Sequence, residues 1–192
     1  MPQRNNIFFK DNCYHIYNRG AGKQEIFLSD DNYRYCLELI QKYSVKLQIK
    51  IIAYCLMPNH YHFMLCQDGD NPISDFIQMV FNSYVQAFNK WHQRSGTLFE
   101  GRFKHVAVEK DSYVLQLCRY IHLNPVLAHL VERPEDWKFS DYRGWIGKEN
   151  LGQVDKEFIS RYFATPNEYE NFVMEYLEEK KKDEKILKYM FD

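Results

Sequence analysis

The sequence has no Cys-x-x-Cys pair, no internal repeat and no apolar run approaching the ~20 residues needed to cross a bilayer. Its five cysteines, Cys13, Cys36, Cys55, Cys66 and Cys118, are odd in number and unpaired in spacing. They therefore signal neither a disulfide framework nor a zinc motif, and their apolar surroundings suit buried, reduced thiols in the cytoplasm. The N-terminal MPQRNNIFFK lacks the apolar stretch of a signal peptide. The chain also lacks a charge excess of either sign. With a formal net charge of -1 over 192 residues, composition alone does not indicate a nucleic-acid binder.

What is present is unevenly spread. Residues 146–192 hold 8 basic and 11 acidic side chains, so the rest of the chain is slightly basic. Lys90, Arg94, Arg102, Lys104 and Lys110 face only Glu100 and Glu109 within one short stretch. A hydrophobic content of 45% supports a real core in one domain with an appendage, and 17% of residues are aromatic. With 15 tyrosines, position and neighbours must decide which one matters.

Period and punctuation give the element order. Cys13–Asn18 reads as a strand ended by Arg19-Gly20-Ala21-Gly22. A helix capped by Asp30 or Asp31 follows, to about Leu47, with Tyr33, Cys36, Leu37, Ile40 and Tyr43 at three- and four-residue steps. Ile49–Leu56 and His60–Cys66 read as strands of one antiparallel hairpin turned at Met57-Pro58-Asn59. Asn71-Pro72 opens a second helix that Ser95-Gly96 ends, with Pro72 at its first position. Phe103–Glu109 reads as a fourth strand. Asp111 caps a third helix expected to stop near Asn124, because Pro125 disfavours helical geometry in the residue before it. The order β-α-β-β-α-β-α predicts an α+β, ferredoxin-like antiparallel sheet with helices on one face. A catalytic domain over 7–147 and a charged helical extension over 148–192 are expected; Glu178–Glu184 reads as an exposed helix face.

Two histidines carry the first chemical signal. In MPNHYHFML, side chains alternate faces along the strand, so His60 and His62 point the same way with Cα atoms ~6.5–7 Å apart. Two surface histidines would give the same pattern. An apolar strand directly after a tight turn favours a shared divalent ion instead, since two buried imidazoles on one face need a partner. The third helix, DSYVLQLCRYIHL, buries Val114, Leu117, Cys118 and Ile121, which sets Tyr120 roughly 110° off that stripe. Tyr120 and Asn124 lie one turn apart and address a common point. By itself this describes a border tyrosine and an ordinary helix terminator. His122 points away from Tyr120 and reads as structural; His105, two after Phe103, could approach the site.

MPNHYHFML, NSYVQAFNKWHQRSGTLFEGRFK and RYIHLNPV, with YHIYNRG before them and RPEDWKFSDYRGWIG after, together resemble the REP-associated tyrosine transposases. These sit within the single-tyrosine HUH, insertion-sequence-200-like transposase family. The resemblance runs from Tyr14 to Gly147 and leaves out the last ~45 residues. It implies His60 and His62 as metal ligands, Asn124 as a polar third ligand and Tyr120 as the nucleophile. It also implies Mg²⁺ or Mn²⁺ as cofactor and hairpin-forming single-stranded DNA as partner, with a homodimer left open.

On that basis the expected reaction is attack of Tyr120 on a DNA phosphodiester, giving a 5′-phosphotyrosine and a free 3′-OH that can later rejoin. Arg19, Lys90, Arg94, Arg102 and Lys104 are the candidate backbone contacts, and Tyr84, Trp91 and Phe99 the candidate stacking platforms. Arg102 and Lys104, two apart on a strand, share a face. The acidic tail has no counterpart in the family. The alternative is a domesticated or non-catalytic hairpin-binding module, in which Tyr120 has no role.

Overall fold

The structure, a computed structural model, describes residues 8–108, 111–149 and 155–191, and at 111, 112, 156 and 181–191 the backbone alone. Four strands, β1 (Cys13–Arg19), β2 (Ile49–Met57), β3 (His60–Gln67) and β4 (Lys104–Val108), form one antiparallel sheet in the order β2-β3-β1-β4. Between them run α1 (Asp30–Leu47) and α2 (Ile73–Trp91), followed by α3 (Asp111–Leu127), α4 (Tyr142–Trp145), α5 (Lys156–Tyr162) and α6 (Pro166–Phe191). The seven-element order and the α+β class match the sequence reading.

Strand alternation builds two cores. Tyr14, Ile16, Tyr61, Phe63 and Leu65 face α1 and α2, where Cys36, Ile40, Phe76, Val80 and Phe88 are buried against them. Met64, Cys55 and Ala53 face the other way, onto Val114, Leu117, Cys118 and Ile121 of α3. Each fully buried Phe or Leu contributes about 1.5–3 kcal/mol, so slipping β3 by one residue would forfeit several such terms at once and bury His60 and His62 under α1 and α2. An irregularity between Ile51 and Ala53 lets Ile52 and Ala53 both face α3. Phe158, Ile159, Tyr169, Val173 and Leu177, from α5 and α6, are buried in that same second core.

The β2–β3 turn is held from outside. The carbonyl of Pro58 accepts from the backbone N–H groups of Ile26 and Phe27, and that of Asn59 accepts from Gly20. A side chain at Gly20 would collide with the Gln24 carbonyl, so glycine is required where β1 ends beside this turn.

Several local readings are corrected. Ser29 precedes α1 as its cap residue, and Asp30 and Asp31 fall inside the first turn. Pro72 takes the cap position of α2 rather than its first helical position, and α2 stops at Trp91, short of Ser95-Gly96. The fourth strand begins at Lys104, leaving Arg102 in the preceding loop, while Glu109 and Lys110 lie outside the described residues. The side chain of Asp111 is also outside them, as are those of Lys181–Glu184 in the expected exposed face of α6.

The third helix does not stop at Asn124: α3 continues through Pro125 to Leu127. Pro125 removes only the N–H that would reach the Ile121 carbonyl. Around it Ala128 still bonds Asn124 and Leu130 bonds Pro125, while Ile121, Leu123 and Val126 are buried. Packing thus outweighs the local preference.

The cysteine reading is corrected as well. Cys13 and Cys66 oppose each other across β1 and β3 and form a disulfide, while Cys36, Cys55 and Cys118 are free and buried. A separation of 53 residues gives no hint of that pairing. Among the described residues no helix is long and apolar enough to cross a membrane.

Candidate functional site

His60 and His62 lie on the sheet face under α3, opposite Tyr61 and Phe63, and their ring centroids are 5.1 Å apart. Tyr17 and Arg19 of β1 stand beside them, registered with His62 and His60 respectively. Burial lowers the pKa of His62 to about 3, with the neighbouring His15 and His60 adding to the shift. Burial also lowers that of His60, offset in part by Asn124, whose amide oxygen would accept from the protonated ring. Both imidazoles are therefore neutral at neutral pH, the form that ligates a metal.

Tyr120 comes to the same place from α3. It is 44% exposed, enough for a macromolecular substrate to reach it, and its ring meets that of His62 edge-on at 5.5 Å. Asn124 is buried one turn later, and its Nδ2 donates to the Tyr120 carbonyl at 2.8 Å. With its nitrogen so committed, the free end of the amide is the oxygen, on the side of His60. The structure thus brings His60, His62, Tyr120 and Asn124 together. Among the described residues no three His, Cys, Asp or Glu side chains group to hold an ion, so any third protein ligand would be of another type, such as the Asn124 oxygen. Two neutral imidazoles and an amide oxygen suit a divalent ion that keeps open positions for water or phosphate.

A cavity of about 530 Å³ opens beside the histidines, lined on one side by Arg19, Lys23, Arg102 and Lys104. Arg19 is partly neutralised there by an ion pair with Glu100. Lys23, which the sequence did not single out, therefore joins the basic rim, while Lys90 and Arg94 do not line it. Lys90 is exposed near the end of α2, and the Arg94 guanidinium lies over the Phe88 ring. Tyr84 is wholly buried, with its hydroxyl donating to the Ile26 carbonyl, so it cannot stack on a base. Trp91 is half exposed against Tyr35, and Phe99 packs on Tyr61 and Phe81. His105 pairs with Ile16 and packs on Phe8 and Tyr14, on the face away from the site.

A smaller hollow of about 270 Å³ is lined by Tyr120 itself with His15, Tyr113, Gln116, Arg119 and, from α6, Tyr176. The Arg119 guanidinium stacks on the rings of Phe172 and Tyr176 at 4.3 and 4.1 Å, tying the tyrosine helix to the C-terminal one. His122 turns away from Tyr120 into the second core, as its place on the helix predicts.

His15 is the residue that the sequence reading passed over. Its Nε2 is 2.9 Å from Nδ1 of His62, and its ring lies 6.5 Å from that of Tyr120. Alternation along β1 could have indicated it, but only once the β1–β3 register was known.

The sequence pattern of a family described as "Transposase IS200 like" matches residues 9–124. Several solved structures resemble this one, among them the following two. A REP-associated tyrosine transposase bound to a REP hairpin is 19% identical, covers 80% of this chain and 88% of its own, and has a TM-score of 0.66. A putative transposase from Deinococcus radiodurans is 16% identical over 63% of this chain and 95% of its own, with a TM-score of 0.43. No curated protein matches the sequence.

Proposed function

The chain belongs to the IS200-like transposase family, and from that premise we propose that it cleaves and rejoins single-stranded DNA through Tyr120. One observation carries the reading: an exposed phenol stands beside two neutral imidazoles and an oriented amide oxygen, although they come from separate elements. Hairpin-forming DNA is the proposed partner, the similar solved structure being that of a protein bound to a REP hairpin.

His60, His62 and Asn124 would hold a Mg²⁺ or Mn²⁺ ion. When bound, that ion supplies a Lewis acid that polarises the scissile phosphate and offsets the charge of its transition state. Arg19, Lys23, Arg102 and Lys104 bind the flanking backbone and align the phosphate with Tyr120. The phenol oxygen attacks phosphorus, forming the Tyr120–phosphate bond as the bond to the 3′-oxygen breaks. The phenolic proton is lost and the leaving oxygen gains one. The 5′-phosphotyrosine keeps the energy of the phosphodiester, so attack by a 3′-OH on the same phosphorus releases Tyr120 and joins a strand without a nucleotide cofactor. A flexible single strand suits this site, because its backbone can bend between the sheet and α3.

The test is incubation with end-labelled hairpin DNA and Mn²⁺, followed by a denaturing gel. The wild-type protein should give a covalent adduct, and Tyr120→Phe should bind the hairpin without forming one. Hairpin binding with no adduct from the wild type would instead make the chain a non-catalytic binding module.

A further inference from the structure

Each imidazole of the pair is met at Nδ1 by a neighbour outside the proposed ligand set. His60 Nδ1 lies 2.6 Å from Oδ1 of Asn59, and His62 Nδ1 lies 2.9 Å from Nε2 of His15. The identity of the Asn59 oxygen follows from its other end, where Nδ2 donates to the Lys23 carbonyl at 3.3 Å. An amide oxygen only accepts, so His60 must carry its proton on Nδ1, which leaves the lone pair on Nε2. The rings of His15 and His62 are within 19° of parallel, with centroids 5.2 Å apart and facing nitrogens at 2.9 Å. They meet edge to edge, the geometry in which an N–H points along its neighbour's lone pair. His15 is itself fixed, buried and stacked on Tyr17 at 4.8 Å.

We propose that His15 and Asn59 are positioning residues for the metal site: they hold His62 and His60 in the tautomer and ring orientation that leave both Nε2 atoms free to ligate a divalent cation. This rests on the metal-assisted reading of the site. The chemistry is general, since an imidazole can give one nitrogen to a metal only while its proton sits on the other, and a partner for that proton makes the ring a better and better-aimed donor. The two partners differ in kind. Asn59 is an obligate acceptor, whereas His15 can donate or accept through Nε2; only acceptance from His62 suits a metal at Nε2. His15 then carries its own proton on Nδ1. A His15–His62 pair serving the fold alone would be satisfied with the shared proton on either ring, so the direction of that hydrogen bond is what the metal role fixes.

The experiment uses the full chain in two arms. Mn²⁺ binding is measured by calorimetry and by electron paramagnetic resonance of the bound ion, for wild type, His15→Leu, His15→Gln, Asn59→Ala and Asn59→Asp. His15→Leu and Asn59→Ala should weaken Mn²⁺ binding by about 10- to 100-fold. His15→Gln and Asn59→Asp, which keep an acceptor oxygen near the same place, should recover most of the loss. In the second arm, long-range ¹H–¹⁵N correlation spectra of chelator-treated, histidine-labelled protein report the tautomers directly. His60 and His62 should be protonated on Nδ1 in the wild type, with His62 losing that preference in His15→Leu. Unchanged Mn²⁺ affinity in His15→Leu, or a wild-type His62 protonated on Nε2, overturns the proposal. A wild type that takes up no Mn²⁺ defeats the metal reading itself, and the tautomer arm still decides whether the neighbours set the protons.

Discussion

His122 and Asp141 meet at 2.9 Å where neither side chain reaches solvent. The other nitrogen of His122 contacts the Tyr169 hydroxyl at 2.6 Å, and Asp141 also accepts from the backbone N–H of Tyr54 at 2.7 Å and from the Trp145 indole at 3.2 Å. One polar cluster therefore joins the helix that carries Tyr120 to β2, to α4 and to α6. His122→Ala would leave a buried carboxylate and a buried phenol each short of a partner. The expected cost is about 1–3 kcal/mol for each group so left, the penalty for a buried polar group without its hydrogen bond. Urea unfolding measures it, and an unchanged midpoint would mean that the cluster contributes nothing to stability.

Stability should depend on the site histidines even without metal. Burial holds His15 at about pKa 4 and His62 at about 3, whereas in the unfolded chain both titrate near 6.5. Between those values the unfolded state binds more protons than the folded one. Their contribution is therefore complete above about pH 6.5 and is progressively lost as pH falls towards 4 and then 3. In chelator, the melting temperature of the wild type should fall more steeply over this window than that of His15→Gln. Parallel curves would rule out His15 as a cause.

The basic rim predicts a division among five candidate contacts that composition alone could not rank. Arg102→Ala and Lys104→Ala should each reduce the log–log salt slope of hairpin binding by about 0.7, the value for one neutralised phosphate on a single strand. Lys90→Ala and Arg94→Ala, away from the cavity, should leave it as it is. Fluorescence anisotropy at several salt concentrations measures the slopes, and the reverse pattern would move the DNA path to the end of α2.

The sequence made local order readable and left long-range register hidden. The alternation that puts His60 and His62 on one face, and the helical spacing that sets Tyr120 off the buried stripe of α3, are properties of a few consecutive residues, and the fold keeps both. Contacts between distant segments were not readable in this way. His15 meets His62, and Cys13 meets Cys66, only because β1 and β3 pair in one particular register. Tyr84, on the apolar stripe of α2, is decided as core rather than stacking platform by Phe27 and Phe81 packing over it. Pro125 marks a helix end by local rule, yet the burial of Leu123 and Val126 carries α3 past it.

The strand order has one more consequence. In β2-β3-β1-β4 the two inner strands carry His15, His60 and His62, while the outer strands β2 and β4 shield them on either side. Thermal fraying starts at margins and termini, and the segments with the most paired backbone open last. Backbone amides around these imidazoles should accordingly be among the slowest in the chain to exchange with deuterium, and those of β4 among the fastest in the sheet. The site would then persist through partial openings that loosen its rim, so that DNA could be threaded in or released while the chemical groups stay in register.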